Sequence, residues 1–271
     1  MLRPGEAAPA RTFERGSFDV IAHARALGVD GVSLETCFLP PVAELDRPAL
    51  LDAAGGLELV LAWGHPNGFE YGERADALGD LVAWLELAPA VGCRLVRCVA
   101  AGPSFRGRAP VAEQIAATVP PLRAAAARAR ELGVRLAVEN HGDLRAAELR
   151  ELIERAGDGA LGVCLDTANT LRVGDDPLEA AELLAPLTLM VHLKDVEPLT
   201  PGLDPVAGPA SVPYGEGAVP VDEILATLAR SGFDGLVCVE LGQLGADADE
   251  LAMVAAGVAW LRARSGAWHG T

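Results

Sequence analysis

Arg135-Leu-Ala-Val-Glu139-Asn140-His141 is an apolar run too short for a helix, and it stops abruptly on a carboxylate, an amide and an imidazole. It reads as a short buried strand whose polar end forms the floor of a site. Three later runs close in the same way: Gly162-Val-Cys-Leu before Asp166, Leu189-Met-Val before His192, and Leu236-Val-Cys-Val before Glu240.

A repeating unit surrounds these strands. Residues 18–27 read as a helix, Gly28-Val-Asp-Gly31 as its stop and Val32-Ser-Leu-Glu35 as the strand that follows; Gly232-Phe-Asp-Gly235 repeats the turn before the last strand. Gly92 and Gly133 punctuate two more such junctions. The pattern predicts strands at 32–36, 57–63, 94–99, 135–139, 161–166, 188–193 and 236–240. Helices are expected near 43–54, 72–90, 110–131, 144–156, 177–185, 220–230 and 247–263. Strands alternating with helices imply a parallel sheet, and this many imply an α/β barrel of the TIM type.

Seven strands are legible where a closed barrel wants eight, so the first strand is degenerate or missing. Either it hides near residues 10–13 or the barrel is open there. Residues 1–16, rich in Pro, Ala and Gly, read as a loose arm, and 17–271 as one barrel domain. The connection from 197 to 217 carries Pro198, Pro201, Pro205, Pro209 and Pro213, lacks periodicity, and is a lid or binding-loop candidate.

Alternation places Ala137 with Glu139, Cys164 with Asp166, Met190 with His192 and Lys194, and Cys238 with Glu240 on the inward faces. Slender residues fill the barrel and polar ones crown it.

Composition narrows the function. A formal net charge of −16 over 271 residues opposes nucleic-acid binding, which relies on Lys and Arg displacing counterions. No apolar run reaches a membrane span, and the N-terminus lacks a charged-then-apolar signal pattern. Five cysteines without a CxxC pair suit a reducing compartment. A cytoplasmic protein without a nucleic-acid or membrane partner is expected; a homo-oligomer is left open.

Singly, each strand-end polar residue is as readily a loop cap as a ligand. Together Glu139, Asp166, His192 and Glu240 make three carboxylates and one imidazole at one barrel rim, a set suited to one divalent ion: Mn²⁺, Mg²⁺ or Co²⁺, with Zn²⁺ also admissible. Carboxylates brought so close repel one another unless a cation joins them.

Lys194 is the only lysine, two residues beyond His192 on the same face. It offers a compact charge to a substrate oxygen, or a proton if its pKa falls; the bland alternative is a loop lysine paired with Asp195. Asparagine occurs only at Asn67, Asn140 and Asn169, each at or just past a strand end. Candidate substrate contacts are Glu35, His65, Arg97, His141 and Asn169. Against each stands a plainer role: a turn histidine at His65, a helix cap at Asn169, support of the metal site at His141, and for Arg97 a barrel-layer cation satisfied by Glu35. Gly215-Glu-Gly217 offers backbone N–H groups to a phosphate or is simply a loop turn.

Val138-Glu-Asn-His-Gly142, Cys164-Leu-Asp-Thr-Ala-Asn169, Val191-His-Leu-Lys-Asp195, Pro213-Tyr-Gly-Glu-Gly217 and Val239-Glu240 together resemble the xylose isomerase-like TIM barrels, the sugar phosphate isomerase and epimerase superfamily. The resemblance runs from residue 18 onward. It implies that Glu139, Asp166, His192 and Glu240 hold one divalent metal, and that Glu139 and Glu240 form the acid/base pair on opposite faces of a carbohydrate substrate.

The expected chemistry is proton transfer at a carbon next to a carbonyl, giving 3-epimerisation or aldose–ketose isomerisation, with Lys194 steadying the oxyanion. Two alternatives stand beside it. One is a dehydratase or lyase acting on a keto-sugar, an inosose or a 3-dehydroshikimate-like compound, with His65 or His141 as proton donor. The other is a non-catalytic sugar-binding barrel or subunit.

Overall fold

The computed structural model describes residues 14–15, 18–64, 67–157, 159–200, 208–245 and 247–268. Two short strands, β1 (Glu14–Arg15) and β2 (Phe18–Asp19), pair antiparallel ahead of helix α1 (Val20–Leu27). The pairing begins inside the stretch read from sequence as a loose arm. Residues 10–13, the candidate first strand, lie outside the described residues, as does His65.

Seven parallel strands then follow in order around one sheet: β3 (Gly31–Glu35), β4 (Glu58–Trp63), β5 (Leu95–Val99), β6 (Arg135–Glu139), β7 (Leu161–Asp166), β8 (Thr188–Leu193) and β9 (Val237–Val239). All seven predicted strands are present, each boundary within one residue or so. Glu240 lies just past β9, and its N–H still bonds Leu193 O at 3.1 Å, so the ladder continues to Glu240 itself.

Helices α2 (Arg47–Ala54), α3 (Ala77–Leu87), α4 (Val111–Glu131), α5 (Ala146–Ala156), α6 (Asn169–Arg172), α7 (Pro177–Leu184), α8 (Val221–Arg230) and α9 (Glu250–Trp268) complete the alternation. α6 was not expected: four residues are too few to show a period. α2 and α3 start several residues later than the pattern suggested, since Asp46 caps α2 by accepting from Ala49 N–H and a strained turn precedes α3. α1 stops where glycine allows it, with Gly28 at φ 65° and its N–H on Ala24 O and Arg25 O.

Two apolar layers result. Outward-facing strand residues such as Leu61, Val96, Leu136 and Leu165 pack against the helices. Inside the barrel sit Val60, Leu95, Ala137, Cys164 and Met190, the slender filling expected from alternation. Among the described residues β3 and β9 are the two sheet edges and do not pair with each other. No helix among the described residues is long and apolar enough to cross a membrane.

Candidate metal centre

Parallel strands end at one rim, so distant residues meet. One ligand atom each from Glu139, Asp166, His192 and Glu240 lies within 4.8 Å of all the others. Ligands bound to one ion at about 2.0–2.6 Å are separated by such distances. His192 Nδ1 lies 3.5 Å from Glu139 Oε2 and 2.5 Å from Glu240 Oε2. None of these three buried atoms has a hydrogen-bond partner of good geometry.

Two fixed cations flank the set. Arg97, 3% exposed on β5, reaches Glu139 Oε2 with Nε at 3.0 Å, donates to Trp63 O at 3.3 Å and pairs with Glu35 Oε1. Ala62 and Ala137 are its register partners on either side, and their small side chains leave the guanidinium room. Lys194 Nζ donates to Asp166 Oδ2 at 2.8 Å and to Glu240 Oε1 at 3.3 Å. With His192 neutral, as a metal ligand would be, four carboxylates, counting Glu35, against these two cations leave two negative charges, the complement of one divalent ion.

Burial by itself raises the Glu139 carboxyl, but Arg97 and His192 outweigh it and hold the group well below the usual carboxylate range. Burial is likewise overcome at Glu240 by His192 and Lys194. At Asp166 burial prevails over Lys194 and the pKa rises. Glu35 is pushed up to about 6 by burial, against the pull of Arg97. Burial would lower Lys194, yet Asp166 and Glu240 keep it above the ordinary lysine range, so it stays charged.

The surrounding hydrogen bonds orient the ligands. Asn140 pairs with the backbone of Asp166 like a peptide, accepting from its N–H and donating to its C=O, both at 2.7 Å. Asn169 donates to Asp166 Oδ2 at 2.7 Å and to Glu139 Oε1 at 3.4 Å. The cap at this turn comes from Asp166, whose Oδ1 accepts from the N–H groups of Ala168 and Asn169 at 2.9 Å. Thr167 Oγ1 clamps both backbone groups of Lys194. His141, half-buried, follows directly on Asn140.

Lys194 and Asp195 do not pair as the bland reading had it. The Asp195 carboxylate, 1% exposed, accepts from Gly215 and Gly217 at 2.9 and 3.0 Å through one oxygen and from Val219 at 3.1 Å through the other. The Gly215 and Gly217 N–H groups thus serve an internal carboxylate, not a phosphate. A Cβ on Gly217 would lie 2.1 Å from Asp195 Oδ1, so only glycine fits.

Sequence reading also passed over Asp143. Its Oδ2 accepts from the Tyr71 hydroxyl and from Ala101 N–H, both at 3.1 Å, and Arg106 donates to its carbonyl at 2.7 Å. It ties three rim loops together. No spacing betrays it, because Tyr71 is 72 residues away.

A family model described as the xylose isomerase-like TIM barrel matches residues 21–264. The chain belongs to that family. Among the curated relatives is the 2-epi-5-epi-valiolone 7-phosphate 2-epimerase of Actinoplanes sp., 33% identical over 195 residues, which are 68% of this chain and 70% of that one. Solved structures sharing the fold include a xylose isomerase-like TIM barrel protein from Mycobacterium smegmatis in complex with magnesium, with TM-score 0.71, 20% identity and coverage of 89% and 85% of the two chains. An L-ribulose 3-epimerase matches with TM-score 0.71, 19% identity and coverage of 90% and 86%.

Proposed function

We infer that this protein is a divalent-metal-dependent epimerase or isomerase that moves a proton at a carbon next to the carbonyl of a small carbohydrate or cyclitol. The observation carrying this reading is the convergence of Glu139, Asp166, His192 and Glu240 on one point between the fixed charges of Arg97 and Lys194. The epimerase named among the relatives supports the same reaction class.

Glu139, Asp166, His192 and Glu240 would hold the ion. A bound divalent ion supplies Lewis-acid polarisation of the substrate carbonyl and of a neighbouring hydroxyl oxygen. Glu139, kept ionised by Arg97, takes the proton from carbon. Glu240, the more accessible of the two glutamates, passes a proton taken from solvent to the opposite face. Lys194, charged throughout, offsets the negative charge that develops on oxygen. Glu35, His141 and Asn169 are the proposed substrate contacts, with His65 as a further candidate.

The test has two arms. Protein purified without chelator is assayed for metal by mass spectrometry, and near-stoichiometric ion is expected, reduced in Glu240→Gln. The same protein is incubated in D₂O with a panel of keto-sugars and keto-cyclitols, where product carrying one carbon-bound deuterium is expected. Loss of water instead would make it a lyase. Protein that holds no added divalent ion and exchanges no proton would be a binding barrel.

A further inference from the structure

Beneath the oxygen-rich crown lies a layer of sulfur. Cys164, Met190 and Cys238 each stand two residues before a ligand, on β7, β8 and β9, and period-two alternation turns all three inward with Asp166, His192 and Glu240. In the sheet register Cys164 pairs with Glu139 on one side and with Met190 on the other, and Cys238 pairs with His192. Cys164 and Met190 are fully buried, and Cys238 packs against them.

A thiol among aliphatic neighbours packs as a small hydrophobe. Cys164 differs in its company. One ligand atom each from Glu139, Cys164 and His192 lies within 4.8 Å of the other two, so the thiol stands against two residues that also belong to the four-residue set at the rim. His192 Nδ1 and Glu139 Oε2 are buried without a hydrogen-bond partner of good geometry. Sulfur, nitrogen and oxygen so placed need only small side-chain rotations to close on one ion, at bond lengths of about 2.0–2.3 Å for Zn²⁺.

We propose that Glu139, Cys164 and His192 form a second, thiophilic metal position one layer below the rim, which takes an ion of the Zn²⁺ or Cd²⁺ kind. Softness separates the two positions. A thiolate favours such ions, whereas the three carboxylates of the rim suit Mn²⁺ or Mg²⁺. Entry exchanges a proton for the ion: the Cys164 S–H bond breaks, the proton leaves to solvent, the sulfur electron pair binds the metal, and nothing is oxidised or reduced.

Sharing Glu139 and His192 makes the two positions mutually exclusive. A thiophilic ion therefore displaces the harder one and sits a layer further from the open rim, which makes it an inhibitor. The site rests on geometry alone; the inhibition rests on the metal-dependent reading given above.

The full chain, stripped of metal, is titrated with Cd²⁺ and followed by thiolate-to-metal charge-transfer absorption in the ultraviolet. One equivalent is expected to produce the band and to expel bound Mn²⁺, read by electron paramagnetic resonance. Cys164→Ala should abolish the band, weaken Cd²⁺ binding by roughly tenfold or more and leave Mn²⁺ affinity within about twofold. Cys164→Ser, closer in size, should do the same and guards against lost packing, while Cys238→Ala should keep the band. Failure of the native chain to bind Cd²⁺, Cd²⁺ bound without a thiolate band, or a band that survives in either Cys164 variant would overturn the proposal. A chain that binds Cd²⁺ through Cys164 but holds no Mn²⁺ would keep the lower position and remove the metal-dependent reading of the rim.

Discussion

The wall from β5 to β8 and the edge from β9 round to β3 are built from similar sequences and end in similar residues, yet they differ in how firmly they hold them. On the first side Glu139 and Asp166 are almost wholly buried, each fixed by a cation and by Asn169. On the second, Glu35 and Glu240 stand at partly open edges. A strand with neighbours on both sides pins its ligand; an edge strand leaves its ligand adjustable. That fits the proposed function, in which Glu139 anchors an ion and Glu240 also reaches a substrate.

The sharpest way to break this comparison is at Arg97. Replacing it by Met leaves Glu139 and Glu35 facing each other without compensation, and a loss of about 3–5 kcal/mol in urea unfolding is expected. A loss below about 1 kcal/mol would mean that the buried wall is not electrostatically held.

Cavities offer the next contrast. Leu165→Ala, in the sealed wall at 1% exposure, should cost about 2–5 kcal/mol. Leu236→Ala, beside β9 and only half-buried, should cost clearly less, about 1–2 kcal/mol. Equal costs at the two positions would show that the edge is as closely packed as the wall.

Asp143, on the sealed side, adds a pH signature. Burial pushes its carboxyl up to about 6 from an ordinary value of 3.8, so its contribution to stability is present at low pH and is lost as pH rises through 6. Asp143→Asn should flatten the stability profile between pH 4 and 6 by on the order of 2–3 kcal/mol. An unchanged slope would place the titration elsewhere.

At the small end, Glu154→Gln breaks an exposed pair with Arg150 on α5, an (i, i+4) contact at 2.8 Å. It should shift stability by less than about 0.5 kcal/mol, a control for charge changes remote from either region.

Much of this molecule is legible in its residues. Period-two alternation names the inward faces, and four of the seven predicted strands end on or next to Glu139, Asp166, His192 and Glu240, which the fold brings together. Composition singled out Lys194 and the three asparagines before any contact was known. By contrast, α6 is too short to leave a period, and the loop-tying role of Asp143 rests on a partner far off in the chain. The function assigned to Gly215 and Gly217 depended on what faces them, and that turned out to be Asp195.

The sequence alone therefore determined the strand-and-helix order, the polar crown and the candidate ligand set, since these follow from local period and from strand polarity. Only the tertiary structure decided which charge meets which: that Arg97 bridges Glu35 and Glu139, that Lys194 serves Asp166 and Glu240, and that β3 and β9 stand apart. Those outcomes depend on which strand ends become neighbours across the barrel, a through-space relation that no spacing along the chain encodes.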